Sequence, residues 1–437
     1  MRQALKEALK LLIKDWHVKP FPIIKERESW KLNLERFKNI LAIIWPRRAG
    51  KTYFMYQIAE HLIANGLCEK EDILFLDFEN PQLIELQTID FAQLVKLYYE
   101  AYGKKPKYLF FDEIQNINNW WKVLRSFHND EYEMVISGSS SKLLLTEIST
   151  ELRGRYSHKL MLPFSFTELL GYNNLNPKKL EYTSASWSIL KVFDAYMEFG
   201  WFPKIVSVGG SYEKKQELEE YYKTTFYRDF IERHNVQDKY AFELLMKYAL
   251  DMYSSILVPS KFWDYVKPLW VDISKPTVLK YLSYLREWFF LIECQKFWRS
   301  PKVSLTNPRK VYLIDPGFIR LARNFTENKW KILENIVAIH LFRSEQEFYY
   351  FDEWKECDFV IKHKFGLQIT HAIQVTRELE HHDQDREING LIQAMEKCKL
   401  KEGYILTYNQ SDILEKDGYT IHVMPVWKWM IEFVFDQ

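Results

Sequence analysis

Four side chains in the first third of the sequence have the types needed to handle a phosphate anhydride: Lys51, Thr52, Asp112 and Glu113. The first pair closes the stretch Trp45-Pro46-Arg47-Arg48-Ala49-Gly50-Lys51-Thr52. An apolar run, Ile40 to Ile44, precedes it, and an apolar-periodic segment from Tyr53 to Ala64 follows. Strand, tight loop and helix form the context in which backbone N–H groups and a helix N-terminus point at phosphates. In that reading the binding loop comprises Pro46, Arg47, Arg48, Ala49, Gly50, Lys51, Thr52 and Tyr53. Lys51 reaches the terminal phosphates and the Thr52 hydroxyl takes Mg²⁺. The usual pattern opens with Gly, where this chain has Trp45. The plain alternative is a loop that happens to contain Gly-Lys-Thr.

The acidic pair ends a second apolar run, Tyr108 to Phe111. A strand running into Asp-Glu lets Asp112 hold Mg²⁺ through its water shell and Glu113 orient and deprotonate a water. Alone, such a pair is equally a surface acidic patch. A Gly-Lys-Thr loop upstream favours the paired site, with ATP and Mg²⁺ as its ligands. Gln115 is either a contact of the terminal phosphate or an exposed loop residue. A run of hydroxyls, Ser137 to Ser141 with Ser139 as its candidate catalytic member, ends the next apolar run. It either senses the phosphate or caps a helix. Arg153 and Arg155, either side of Gly154, suit an arginine finger supplied by a neighbouring subunit, or else a surface ion-pair cluster.

Taken as a set, these motifs resemble the archaeal and bacterial ATPases of the AAA superfamily that carry a nuclease-like C-terminal domain. The matching stretches are Pro46 to Thr52, Asp112 to Gln115 with Trp120, and Gly138 to Ser141 with Leu152 to Tyr156. Pro163-Phe164-Ser165-Phe166 with Glu168, Ile314-Asp315-Pro316-Gly317 and Leu333-Glu334-Asn335 continue the match. The resemblance spans roughly residues 36 to 376. It implies a Mg²⁺-dependent ATPase working as a homo-oligomer, a hexameric ring, in the cytoplasm.

The elements that must position these groups are legible as apolar runs. Ile40–Ile44, Ile73–Phe78, Tyr108–Phe111 and Met134–Ile136 are continuous, as expected of strands buried on both faces, and helical segments separate them. That alternation predicts an α/β fold with a parallel sheet. Every polar cluster named above ends a strand, where ligands of such sheets sit. The expected organisation is an N-terminal helical segment (1–35), an ATPase core (36–175), a helical lid (176–240), a winged helix-turn-helix (241–322) and a second α/β domain (323–437).

The winged helix is read from three helical stretches, the last running from Ser274 to Phe289, followed by two strands. Residues 270 to 310 hold eight Lys or Arg against three acids, with aromatics interleaved, which suits DNA or, equally, packing inside the protein. The last domain resembles the PD-(D/E)xK nuclease fold, with Glu334 on a helix, Asp358 on a strand and Gln374-Val375-Thr376 at the Glu-x-Lys position. That resemblance implies a second metal site at Glu334, Asp358 and Gln374, which Gln374 and Thr376 leave weak or inactive unless Glu356 or Lys362 substitutes. His381-His382-Asp383 is a metal-ligand candidate or a solvated loop.

Composition bounds the remaining choices. The 437 residues are 47% hydrophobic and 27% charged, enough for more than one core, and the net charge of +1 names no partner. The four cysteines form no Cys-x-x-Cys pair, which fits a reducing compartment. No uncharged run approaches the ~18 residues of a membrane helix. Two functions follow: an ATPase coupled to DNA binding or remodelling, or an ATP-gated switch that binds a protein partner.

Overall fold

The computed structural model describes residues 2–27, 40–44, 48–87, 90–138, 156–176, 183–297, 308–322, 328–363, 366, 368–379 and 384–433. Compactness divides the chain into Met1–Pro163 and Phe164–Gln437. The first unit contains α1 (Gln3–Val18), β1 (Ile40–Ile44), α2 (Lys51–Ala64), β2 (Ile73–Asp77), α3 (Phe91–Tyr102), β3 (Tyr108–Asp112), α4 (Trp120–Asn129), β4 (Glu133–Gly138) and β5 (Tyr156–Leu160). Its five strands pair in parallel, in the order β2-β3-β4-β1-β5. β1 and β3 flank β4, so the loop leaving β1 and the acids ending β3 fall on either side of Ser137. All of β1 and β3 is buried, as their unbroken apolar runs require. The sheet edge β5 is polar and half exposed, so the apolar-run criterion misses it.

Leu5, Leu9 and Ile13 recur every four residues and seal α1 onto this core. Each such burial contributes about 1.5–3 kcal/mol. Trp16 extends the contact by stacking on Phe75, 4.5 Å between ring centres.

The second unit opens with helices: α5 (Phe166–Tyr172), α6 (Thr183–Phe199), α7 (Pro203–Ser207) and α8 (Ser211–Thr224). Next come α9 (Lys239–Asp251), β6 (Ser255–Leu257), α10 (Pro259–Val266), α11 (Lys275–Glu287), β7 (Leu291–Lys296) and β8 (Arg309–Leu313). Ser274 caps α11 by accepting from the Thr277 N–H, and Pro276 sits in its first turn, where no N–H is required. The remainder is α12 (Lys329–Arg343), β9 (Glu347–Asp352), β10 (Glu356–Lys362), β11 (Ile369–Val375), α13 (Gln384–Cys398), β12 (Glu402–Thr407), β13 (Asp412–Lys416), β14 (Tyr419–Pro425) and α14 (Val426–Glu432). One nine-stranded sheet runs β13-β14-β12-β11-β10-β9-β7-β8-β6. The β7–β8 hairpin therefore does not stand apart: β7 pairs in parallel with β9 and carries the sheet into the last third of the chain. Among the described residues no helix is long and apolar enough to cross a membrane.

Candidate functional sites

In the first unit the chain turns sharply after β1. Arg48 and Gly50 both take left-handed backbone angles, with φ of 66° and 93°, and α2 starts at the next residue. Gly50 tolerates that angle without the strain a Cβ brings. The turn sets Lys51 at the first position of α2, where Lys51 is buried, and Thr52 beside β3. Thr52 Oγ1 donates to Asp112 Oδ2 and Ser137 Oγ to Asp112 Oδ1, so both Asp112 oxygens are held by hydroxyls. Lys51 Nζ lies 3.1 Å from Glu113 Oε1, and Gln115 Nε2 donates to Glu113 Oε2 at 2.5 Å. Glu113 itself has a left-handed φ of 51°, and its N–H donates to Ser137 Oγ at 3.0 Å. The strained angle turns the Glu113 side chain out of the strand toward Lys51.

Electrostatics mark this as a cation site. Burial, and next the neighbouring Glu113 charge, push the Asp112 carboxyl up to about 6, against the Ser137 and Thr52 hydrogen bonds and Lys51, which pull the other way. A buried pair of acids with one lysine between them is short of positive charge. Thr52 and Asp112 present only oxygen donors, the set Mg²⁺ takes, so these residues fit that ion.

The sequence-derived residues fall as follows. Lys51, Thr52, Asp112 and Glu113 come together. Arg48, Ala49 and Gly50 form the described part of the loop, and Tyr53 points away with about half its surface exposed, packed edge-on against Tyr56. Pro46, Arg47, Ser139, Arg153 and Arg155 lie outside the described residues. Of the serine run, the described member is Ser137, next to last in β4 and in register with Ile43 of β1, and its hydroxyl engages Asp112 and Glu113. Gln115 belongs to the site through Glu113.

Arg27 went unnoticed in the sequence. It is buried, and its guanidinium donates to the carbonyls of Ala49 at 3.1 Å, Leu162 at 2.5 Å and Pro163 at 3.3 Å. Its own N–H donates to Gln57 Oε1 at 3.2 Å. Arg27 thus fixes the back of the phosphate loop to α2 and to the segment after β5. A lone arginine in a Pro-containing connector carries no sequence signal for that role.

A family model described as an AAA domain matches residues 37–170, the stretch that holds this site. A second, described as a domain of unknown function, matches residues 190–329. The uncharacterized protein MJ1544 of Methanocaldococcus jannaschii is 32% identical over 414 residues, covering 92% of this chain and 90% of that protein. The chain belongs to one family with MJ1544, and its residues 37–170 match an AAA domain. An uncharacterized protein of Haemophilus influenzae is 28% identical to this chain over 422 residues, covering 93% of it and 98% of the relative. The Walker-type ATPase PABY2304 of Pyrococcus abyssi has 14% identity and a TM-score of 0.45 over 70% of this chain and 99% of its own.

The second unit holds another lysine among acids. Asn335 on α12 docks on β8 like a partner strand: its side chain accepts from the Leu313 N–H and donates to the Leu313 carbonyl, both at 2.8 Å. That clamp sets the neighbouring Glu334 over the β8 face carrying Lys310 and Tyr312. Lys310 Nζ lies 2.8 Å from Glu334 Oε1, 2.8 Å from Glu356 Oε1 and 3.0 Å from Asp358 Oδ1. Tyr312 Oη also donates to Glu334 Oε1 at 2.8 Å. Asp358 Oδ2 accepts from the Val375 N–H at 2.9 Å, and Gln374 Oε1 accepts from the Asp358 N–H at 3.2 Å. Gln374 Nε2 turns the other way, to Glu387 Oε2 at 2.5 Å.

Glu334, Asp358 and Gln374 are therefore neighbours. Among the described residues, however, no group of His, Cys, Asp and Glu side chains is arranged to hold a metal ion, and Lys310 Nζ fills the point where the acids converge. Burial, and next the Asp358 charge, push the Glu334 carboxyl up to about 8, whereas Lys310 stays protonated because Glu334, Asp358 and Glu356 outweigh its own desolvation.

Lys310 had been counted with the basic stretch before it, and the structure corrects that grouping. Lys310 is buried, Arg286 and Arg309 pair with Glu293, and Lys296 pairs with Asp352. Tyr281, Tyr284 and Trp288 from the same stretch are core residues. Lys275 and Lys280 on α11 are exposed.

Proposed function

We propose that this protein is a Mg²⁺-dependent ATP hydrolase. The observation that carries the reading is the convergence of Lys51, Thr52, Asp112, Glu113 and Ser137 at the carboxyl ends of β1, β3 and β4. ATP is the substrate, with its phosphates on the α2 N-terminus. Thr52 and Asp112 would hold Mg²⁺, which supplies charge neutralisation on the phosphate oxygens. Lys51 leaves Glu113 for a phosphate oxygen. Glu113, freed on one side and still oriented by Gln115, takes the proton of the attacking water. Ser137 keeps Asp112 and the Glu113 backbone in register throughout. Ser139, Arg153 and Arg155 complete the proposed site, the arginines from a neighbouring subunit of a homo-oligomer, a hexameric ring. Purified protein is expected to release phosphate from ATP only with Mg²⁺. Absence of both nucleotide binding and turnover in the folded protein would overturn the proposal.

The finer parts of the reading concern the second unit. The order helix, short strand, helix, helix, hairpin, with β8 between β6 and β7, supports a winged helix over 241–322. Exposed Lys275 and Lys280 on α11 support coupling of hydrolysis to DNA. The neighbourhood of Glu334, Asp358 and Gln374 supports a degenerate nuclease-like domain over 323–437. A second reading, an ATP-gated switch for a protein partner, is favoured by the pairing of Arg286, Lys296 and Arg309 with acids, which leaves fewer cations for phosphates. The ATPase rate with and without single- and double-stranded DNA, measured beside particle size, separates the two: stimulation supports the DNA reading and its absence the switch.

A further inference from the structure

The cluster around Lys310 borders a cavity of about 1070 Å³, whose wall includes Lys310, Glu356, Asp358 and Gln374. We propose that Lys310 is a built-in cation standing where Glu334, Glu356 and Asp358 would otherwise hold a divalent metal ion, so that the natural protein keeps this site metal-free and removing the lysine creates a metal site. This rests on the nuclease-like reading of the domain and deepens it.

Three observations carry the inference. An ammonium has three donors, and Lys310 directs them to three carboxylates from two elements, α12 and β10, at 2.8 to 3.0 Å. Oxygens so placed need to draw in by less than about 1 Å to reach the ~2.0–2.1 Å of Mg²⁺ coordination. Second, Glu334 Oε2 is fully buried without a hydrogen-bond partner. A lysine that binds one carboxylate oxygen leaves the other orphaned, whereas a divalent ion can draw on both. Third, the charges favour exchange once the lysine is gone. Three carboxylates against no cation leave an acidic cluster at the wall of an open cavity, and a divalent ion restores most of the balance that Lys310 supplies. Strand β8 supplies the plug, while the acids lie on α12 and β10, so a single side chain closes the site.

The test is Mn²⁺ binding by calorimetry and electron paramagnetic resonance, with no nucleotide present and in an Asp112→Asn background so that only the second unit is read. The Lys310-containing protein is expected to bind Mn²⁺ weakly or not at all. Lys310→Met is expected to gain one site at least ten-fold tighter, lost again in Lys310→Met/Asp358→Asn. Lys310→Met/Glu334→Gln carries one buried negative charge fewer and keeps the test open if the single variant does not fold. It must bind Mn²⁺ at least ten-fold more tightly than Glu334→Gln with Lys310 in place. Equal Mn²⁺ affinity with and without the lysine, in folded proteins, would overturn the inference. DNA cleavage by the Mn²⁺-loaded variant is a separate readout: Gln374 and Thr376 still leave the Glu-x-Lys position incomplete, so little is expected, and efficient cleavage would overturn the degeneracy of the domain alone.

Discussion

The two units bury a lysine among carboxylates in different ways. Lys51 sits at the start of a helix and pairs with Glu113, which also accepts from Gln115. Lys310 sits within a strand and pairs with three acids, one of which, Glu334, also accepts from Tyr312. The first lysine can leave at small cost, because a phosphate on the helix N-terminus replaces the carboxylate and Gln115 retains Glu113. The second cannot leave without abandoning buried charge. The same pair of residue types therefore makes an exchangeable contact in one unit and a fixed one in the other. What differs among the described ion pairs is how many acids each lysine holds.

The largest expected effect breaks this comparison through stability. Lys310→Met leaves Glu334 and Asp358 without their cation, and removing one partner of a buried ion pair costs about 3–5 kcal/mol. Lys51→Ala is expected to cost less, because it removes the cation from one acid, Glu113, which keeps Gln115, whereas Lys310→Met removes it from three. Urea unfolding of both variants checks the contrast, and equal losses would show that the two lysines are held alike. Next in size, Lys51→Ala is expected to lower ATP turnover about 10²–10³-fold, the scale for losing one pre-placed positive contact to a reacting phosphate. Unchanged turnover would remove Lys51 from the site. Glu113→Gln follows, with turnover down at least ~10²-fold and nucleotide binding retained. If binding and turnover fall together, Glu113 acts chiefly by fixing the loop around Lys51.

Much of the first site was legible in sequence because it is local. Gly-Lys-Thr after an apolar run, and Asp-Glu after another, each state both an element and a chemistry. Ser137 was visible as the start of a serine run, although nothing in the run singled it out from Ser139. Only the neighbouring positions of β3 and β4 do that. Arg27 and Lys310 were not legible, since each acts on groups far away in sequence. Arg27 binds carbonyls, which any residue offers, and its position in a connector has no periodicity. Lys310 lay in a stretch dense in Lys and Arg, and counting charge there conflated buried cations with exposed ones. The hairpin β7–β8 was placed correctly, but its parallel pairing with β9 needs the strand order, which no local pattern encodes.

A third buried carboxylate sharpens the comparison because backbone holds it in place of lysine. Asp315, fully buried, accepts from the Trp201 N–H at Oδ2, 3.0 Å, and from the Gly317 N–H at Oδ1, 2.8 Å. Its Oδ1 lies where a Cβ on Gly200 would be, 1.7 Å away, and Gly200 has a φ of 72°, so glycine is required there. Burial pushes the Asp315 carboxyl up to about 7, although both N–H bonds pull it down. The folded value is above the unfolded one of ~3.9. The stability this group contributes is therefore fully present below about pH 4 and is lost as pH rises through about 7. Asp315→Asn has nearly the shape of the protonated acid but does not titrate. At pH 4 the variant is expected to be less stable by about 1–3 kcal/mol, because its amide NH2 faces one of the two backbone N–H donors and cannot accept from it. From there to about pH 7 the wild type should lose ground steadily against Asp315→Asn, and the difference should level off above that. Denaturant unfolding of both proteins across pH 4 to 9 measures it, with the variant cancelling every other titrating group. A difference that grows in favour of the wild type as pH rises would mean that two backbone N–H groups outweigh desolvation, and that a buried carboxylate here needs no lysine to stay charged.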